Sequence, residues 1–351
     1  MRKMIGRLGG LLCALALAAC AAGFAAAETA EVPVFRTAQA AINWVKKNQP
    51  MTLEITGVKW TPSDLNKIKS LMPEGAEFRF STSWGGVEVT DESVSLDLTG
   101  IRANPTGADL EGLISLCPNL AYVDNTGKRA PSFDVMSGIV DRNPRIRFDW
   151  NILLGHGHYV STKDTAFSTF NEPFDPEYLT SRMLMKLKYC PQMKALDLGH
   201  NEITDLEFLQ YVPDLEFLII GDNKVKDLTP ISQLKHLQYA ELFSNYFTDI
   251  TPLAECTELI DLNICYARVT DFSCLDNLEH LERFWATMIR GLPDEEKERF
   301  MKVHPTVEVD FKGSHATTNG WRSHPRYKHY IWCLKNRTWI PFDQPLPTEQ
   351  R

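Results

Sequence analysis

The chain has 351 residues, of which 44% are hydrophobic and 23% charged, a composition typical of a folded protein with a continuous core. Its formal net charge of −8 argues against the basic surface that binding to DNA or RNA requires, so we expect no nucleic-acid partner. Its eight cysteines leave both a disulfide-bonded and a reduced protein open.

Residues 1–27 have the three parts of a secretory signal peptide. A positively charged start precedes an apolar stretch (8–19), and three alanines end at Ala27, so cleavage would leave Glu28 as the first residue. We therefore expect an extracytoplasmic protein, secreted or at the cell surface. The stretch ending at Cys20 also matches a bacterial lipobox, so a lipid on Cys20 is a second interpretation. This lipid would attach the protein to the membrane, since no later segment has the ~18–20 apolar residues that cross a bilayer.

Residues 28–50 contain one amphipathic helix, predicted over 37–48. The apolar side chains that it can bury are Ala41, Ile42, Trp44 and Val45. Because the terminal repeat of a solenoid needs a cover for its apolar face, we expect this helix to be an N-terminal cap.

Residues 51–192 contain irregular strand-helix repeats of uneven length. Helical segments stop at Pro73 and Pro144, and an extended segment follows each proline. A predicted β-hairpin comes next in both places, with turns at 85–86 and 155–157. The two stretches align with each other, which suggests an internal duplication.

In residues 193–290 the same pattern of apolar positions returns every 22 residues. The first position of each copy is Met193, Leu215, Leu237, Leu259 and Leu281. The fourth and sixth positions are also apolar, and they alternate as residues of one strand do. One column is filled by asparagine at Asn201, Asn223 and Asn245, and Ala267 breaks it. Repetition at a fixed period predicts a solenoid in which each copy buries its apolar face against the next.

The pattern LxxLxLxxN with this period resembles the leucine-rich-repeat family, most closely the short-repeat bacterial type of internalin-like proteins. The resemblance covers residues 193–289. It implies an α/β solenoid with a parallel sheet on the concave face and helical caps at both ends. In that family the asparagine amides bond the backbone of adjacent turns, so we interpret the asparagine column as structural.

Three cysteines fall in a core column of these repeats: Cys117, Cys190 and Cys256. Each lies three residues before a strand, where other copies carry Val212, Leu234 or Leu278. A buried free thiol packs as a small hydrophobic group, so we expect these three cysteines to be reduced.

Residues 291–351 are the predicted C-terminal cap. They place Trp321, Trp332 and Trp339 among histidine, lysine and arginine side chains. We expect the aromatic groups to cover the last coil while the basic groups stay in water. A binding patch for an acidic partner is the alternative.

Outward-facing positions of the predicted strands carry aromatic and apolar side chains where solvent would favour polar ones. We call this set the concave streak; it comprises Phe217, Ile219, Tyr239, Glu241, Phe243, Asp261, Tyr266, Arg283 and Trp285. Aromatic anchors with a charged rim are typical of a binding hot spot. We therefore expect the concave streak to bind a protein or peptide, with a glycan as a variant because sugars stack on aromatic faces. The alternative is a structural or envelope-associated scaffold in which a loop or the C-terminal tail covers the streak.

Catalytic signals are weak in this sequence. It contains no zincin helix, nucleophile elbow or phosphate-binding loop. Cys265 lies on the predicted concave face, but no histidine stands at neighbouring strand positions to act as its base. The pair His156 and His158 lacks the further cysteine or carboxylate of a metal motif. We therefore expect a non-catalytic protein without cofactor or metal.

Overall fold

The computed structural model describes residues 33–57, 60–127, 130–169 and 178–347. The predicted signal peptide and Cys20 lie outside these residues. Within the described part, no helix is long and apolar enough to cross a membrane.

The first helix, α1 (Ala38–Asn48), covers the start of the fold. The Thr37 hydroxyl accepts a hydrogen bond from the Ala40 amide at 3.2 Å, which satisfies a helix-end donor. The side chains of Ala41, Ile42 and Val45 are buried, as predicted, and Trp44 is partly buried.

A three-stranded sheet follows. Its strands are β1 (Thr52–Ile55), β2 (Glu77–Trp84) and β3 (Val87–Thr90), with α2 (Pro62–Lys69) between the first two. β1 and β2 are parallel, whereas β2 and β3 form an antiparallel hairpin. Its turn residues Gly85 and Gly86 both have positive φ, a conformation that glycine adopts readily and that two-residue hairpins require.

A four-stranded sheet repeats this plan. Its elements are β4 (Ser95–Asp97), α3 (Gly107–Leu116), β5 (Tyr122–Asn125), α4 (Phe133–Arg142), β6 (Arg147–Gly155) and β7 (His158–Ser161). β4, β5 and β6 are parallel, and β6 turns back into β7 as a second hairpin. The domain boundaries predicted at residues 50, 192 and 290 remain predictions.

The largest sheet has seven parallel strands in sequential order. They are β8 (Ala166–Ser168), β9 (Ala195–Asp197), β10 (Phe217–Ile219), β11 (Tyr239–Glu241), β12 (Asp261–Asn263), β13 (Arg283–Trp285) and β14 (Glu308–Asp310). The helices of this part are α5 (Ser181–Leu184), α6 (Asp294–Val303) and α7 (Pro325–Lys335), and short 3-10 turns form the return arms after β9 to β12. Phe217 lies beside Tyr239 and Tyr239 beside Asp261, so neighbouring strands align at the 22-residue period. The predicted α/β leucine-rich-repeat solenoid is the observed fold.

The asparagine column ties adjacent turns together. The Asn223 amide donates to the carbonyls of Leu198 and Ile220 at 3.0 and 3.1 Å, and its oxygen accepts from the Ile203 amide at 2.9 Å. Asn245 makes the equivalent bonds one turn later. Because these buried backbone groups have no water to bond, the asparagines are structural, as predicted.

The three core-column cysteines, Cys117, Cys190 and Cys256, are buried free thiols, as predicted. Burial raises the pKa of each to about 12, so they remain protonated near neutral pH. They therefore act as packing residues of the core.

Candidate functional site

The concave streak lies inside the protein. Its members on β10 to β13 and Phe243 are all buried, including the charged Glu241 and Asp261 at 0% exposure, and Tyr266 is partly buried. These positions do not face solvent, because the chain returns over the sheet after β14, as in the alternative in which the C-terminal tail covers the streak. We call residues 312–347 the C-terminal segment; its aromatic and aliphatic side chains form one buried cluster with the streak.

Aromatic rings form the centre of this contact. Phe217 and Tyr239 stack across β10 and β11 with ring centroids 4.7 Å apart, and Tyr330 of α7 lies 4.7 Å from Phe217. Farther along the sheet, Trp321 lies 5.1 Å from Trp285. Rings at these separations attract each other beyond their simple burial, so the segment is packed as a core.

Glu241 is the most densely bonded residue of the site. Its carboxylate accepts hydrogen bonds from Trp321 Nε1 at 2.9 Å and from Arg322 Nη2 at 2.7 Å, both from the C-terminal segment. Tyr239 of its own strand also donates to it. A buried carboxylate is costly unless it is paired and hydrogen-bonded, and here the segment supplies the countercharge.

Asp261 forms a second charged contact on the next strand. Its Oδ1 atom accepts from Arg326 Nη1 at 3.0 Å, and its Oδ2 atom lies 3.5 Å from Arg283 Nη1. Burial raises the pKa of Asp261 to about 6 and outweighs the opposing effect of the two arginines. Arg326 also pairs with Glu282.

Backbone groups of the C-terminal segment are held by polar side chains of the sheet. Asn263 Nδ2 donates to the Ala316 carbonyl at 2.7 Å, and Trp285 Nε1 donates to the Thr318 carbonyl at 3.1 Å. At the far end, Trp339 Nε1 donates to Glu216 at 2.6 Å. The backbone amide of Thr165 donates to the Arg337 carbonyl next to β8. The segment therefore spans the sheet from β13 back to β8.

The predicted cap is the element that covers the streak, which was the alternative interpretation of the sequence. Its aromatic groups cover the sheet from β8 to β13 and not only the last coil. Arg322 and Arg326 are only partly exposed, and they pair with Glu241 and Asp261 of the same chain. The mixture of tryptophans and basic residues was the available signal, since it complements the acidic and aromatic strand positions.

Cys265 is placed for packing and hydrogen bonding. Its sulfur accepts from the Thr287 hydroxyl at 3.2 Å, and burial raises its pKa to about 11, so the reactive thiolate is disfavoured. His329 of α7 contacts the Ile340 carbonyl at 2.7 Å. Among the described residues, no group of three or more histidines, cysteines or carboxylates could hold a metal ion.

The fold and this site define a leucine-rich-repeat protein whose concave sheet is closed by its own C-terminal segment. Similar solved structures include internalin C2 of Listeria monocytogenes, at 21% identity over 50% of this chain and 82% of that chain, with a TM-score of 0.31. Internalin F of the same organism is 16% identical over 80% of this chain and 91% of that chain, with a TM-score of 0.36. A leucine-rich-repeat protein of Leptospira interrogans is 13% identical over 78% of this chain and 69% of that chain, with a TM-score of 0.34.

The sequence matches no family model and no curated protein. The fold assignment therefore rests on this chain's own strand register and asparagine column.

Proposed function

We propose that this chain is an exported, non-catalytic leucine-rich-repeat protein that acts as a rigid scaffold for a protein partner. The supporting observation is the burial of the concave streak beneath the C-terminal segment. A partner would then bind the surfaces that remain exposed.

The cost of opening supports a permanent closure. Undocking would expose Phe217, Tyr239 and Trp285 on the sheet, together with Trp321 and Tyr330 on the C-terminal segment. Burying one such side chain contributes ~1.5–3 kcal/mol, so five of them strongly favour the closed state. Opening would also separate Glu241 from Arg322 and Asp261 from Arg326.

A second candidate is recognition of a protein or peptide on the concave streak itself, after the C-terminal segment is displaced. Its support is that the segment fills the face as a bound peptide would. The helix α7 places Tyr330 and Leu334 in the buried cluster and sets Arg326 on Asp261. A partner helix with aromatic groups and arginine at the same spacing would offer the same contacts.

Hydrogen exchange with a captured partner distinguishes the two candidates. The bait is the full chain without residues 1–27, and the prey is a fraction of surface proteins. Scaffold binding leaves the exchange of amides in β10, β11 and the C-terminal segment unchanged and protects amides elsewhere. Faster exchange in the C-terminal segment on partner binding would overturn the scaffold and favour displacement.

Export is tested by the N-terminus of the protein recovered from its source cells. Cleavage by signal peptidase leaves Glu28 first, and lipoprotein processing leaves a modified Cys20 first. Recovery of the chain from the cytoplasm with residues 1–27 still attached would contradict export.

A further inference from the structure

A cavity of about 550 Å³ lies at the carboxyl ends of β9 to β12, where the repeats face the C-terminal segment. The repeat side contributes Asp197, Gly199 and Phe243, and the C-terminal segment contributes Arg322 and Tyr327. Sites for small organic ligands have volumes of ~300–1,000 Å³ and combine apolar walls with a few polar groups. This cavity meets both criteria.

Packing does not require a glycine at position 199 of the cavity. Gly199 and Gly221 occupy the same column of the repeat. A Cβ atom on Gly221 would lie 2.4 Å from the Phe243 ring, so packing requires glycine there. A Cβ atom on Gly199 would be no closer than 3.4 Å to its neighbours, an ordinary contact distance. A side chain could therefore stand at position 199, and its absence keeps the cavity open.

The polar groups of the cavity offer both an acceptor and a donor. The carboxylate of Asp197 accepts from the Gly199 amide at 3.2 Å and from the Ser168 hydroxyl at 3.0 Å, two of about four bonds that a carboxylate accepts. Burial raises the pKa of Asp197. Arg322 donates to Glu241 and Tyr330 and is 32% exposed, so N–H groups remain for a ligand.

These groups select the charge of the ligand. A cation that reached Asp197 would meet the Arg322 guanidinium, and an anion that reached Arg322 would meet the carboxylates of Asp197 and Asp222. A neutral molecule with several hydroxyls can donate to the carboxylate and accept from the guanidinium at once. The aromatic side chains Phe243, Tyr266 and Tyr327 line the cavity. An aromatic ring carries a negative face, which suits the weakly positive C–H groups of a sugar ring.

We propose that this cavity binds a neutral saccharide, with its hydroxyls shared between Asp197 and Arg322 and its ring against the aromatic walls. This inference goes beyond the scaffold function and does not depend on it. Because the ligand would touch both the repeats and the C-terminal segment, binding would also stabilise the docked segment.

The test is calorimetric titration of the full chain without residues 1–27. The probes are glucose, galactose, mannose, N-acetylglucosamine, maltose, lactose and cellobiose, with arginine and acetate as charged counter-probes. Gly199→Leu fills the cavity, and Asp197→Asn removes the carboxylate charge. Gly100→Leu is the matched control, since a Cβ atom there would have no neighbour within 4 Å.

We expect at least one of these saccharides to bind saturably and to raise the melting temperature. Gly199→Leu should abolish that binding, Asp197→Asn should weaken it about tenfold, and Gly100→Leu should leave it unchanged. If Gly199→Leu fails to fold, the saccharide affinity of Asp197→Asn tests the proposal instead. The proposal is overturned if none of the saccharides binds, if binding survives these substitutions, or if only arginine or acetate binds.

Discussion

At the residue scale, Glu241 joins the sheet to the C-terminal segment. It is fully buried and its charge is balanced by Arg322, whose side chain keeps 32% of its surface exposed. Removing one partner of such a pair leaves the other charge without compensation, which costs more than the pair contributes when intact.

Glu241→Gln should lower the free energy of unfolding by about 3 kcal/mol, the low end for a broken buried pair because Arg322 keeps some water. The matched control is Glu255→Gln, which breaks an exposed pair with Lys235 and should leave stability unchanged within error. Urea denaturation of both variants measures the difference. Equal midpoints for the two variants would contradict the assignment of Glu241 as an anchor.

The pKa of Asp261 predicts a pH effect with a definite sign. Its folded value of about 6 lies above the ~3.9 of an unfolded aspartate, so between these values the folded state binds more protons. The contribution of Asp261 to stability is therefore fully present below the unfolded pKa of ~3.9 and is lost as the pH rises through the folded value of about 6. The pKa values of Asp164 and Asp197 are also raised by burial, so these groups likewise favour the folded state at low pH. The pKa of exposed Asp227 is lowered, so this group favours the folded state at higher pH.

The difference in stability between the wild type and Asp261→Asn isolates this group. Relative to Asp261→Asn, the wild type should become less stable as the pH rises from 4 to 7. Denaturant titrations of both proteins at several pH values in that range provide the measurement. A difference that stays constant, or grows in the wild type's favour, would show that the Asp261 carboxylate is ionised throughout.

At the scale of elements, the C-terminal segment behaves as an additional layer of the core. Trp321 is 1% exposed and contacts Trp285, Tyr239 and Glu241. Trp332, eleven positions later, is only partly buried.

Trp321→Ala should cost ~3–5 kcal/mol of stability, because it removes a fully buried tryptophan and leaves a cavity. Trp332→Ala is the matched control and should cost clearly less. Thermal unfolding followed by circular dichroism compares them. If Trp332→Ala were as destabilising as Trp321→Ala, the described course of the segment would be wrong.

The asparagine column makes a prediction for the repeats themselves. Asn245→Ala removes the acceptor for the buried Val225 amide and a donor to the buried Leu242 carbonyl, whereas the Ile220 carbonyl keeps its bond from Asn223. Unsatisfied buried groups cost ~1–3 kcal/mol each, and we expect a loss of at least ~2 kcal/mol. Asn43→Ala, on the exposed side of α1, should have no such effect. Chemical denaturation of both variants gives the comparison, and equal stabilities would remove the structural role of the column.

At the scale of the whole molecule, local pattern made the repeats predictable. The 22-residue period, the asparagine column and the three core cysteines could be seen in the sequence because each depends on neighbours one turn away. The burial of Tyr239 and Trp285 could be stated only as an alternative, since it depends on Trp321 and Tyr330, which are distant in the chain. Outward strand positions look the same in sequence whether solvent, a partner or the protein's own terminus covers them.

Because the concave streak is buried, substitutions in it alter stability as well as any partner binding. Tyr239→Ala combined with Trp285→Ala would remove two fully buried rings, and a loss of partner binding in that variant would also report lost folding. Variants of the cavity lining, such as Asp197→Asn, remove no ring from the core and separate binding from stability better.

The C-terminal segment closes the concave face as part of the fold. The accessibility of two native thiols, nine positions apart, measures whether this closure opens. Cys265 is buried beneath the segment, and Cys256 is buried in the core of the repeats.

The most direct measurement is the rate at which an alkylating reagent labels each thiol in the native protein, resolved by mass spectrometry. If the segment opens only with global unfolding, Cys265 and Cys256 should be labelled at the same rate. Labelling of Cys265 many times faster than Cys256, while the repeats stay folded, would show that the C-terminal segment leaves the sheet without global unfolding. It would contradict a permanent closure of the concave face.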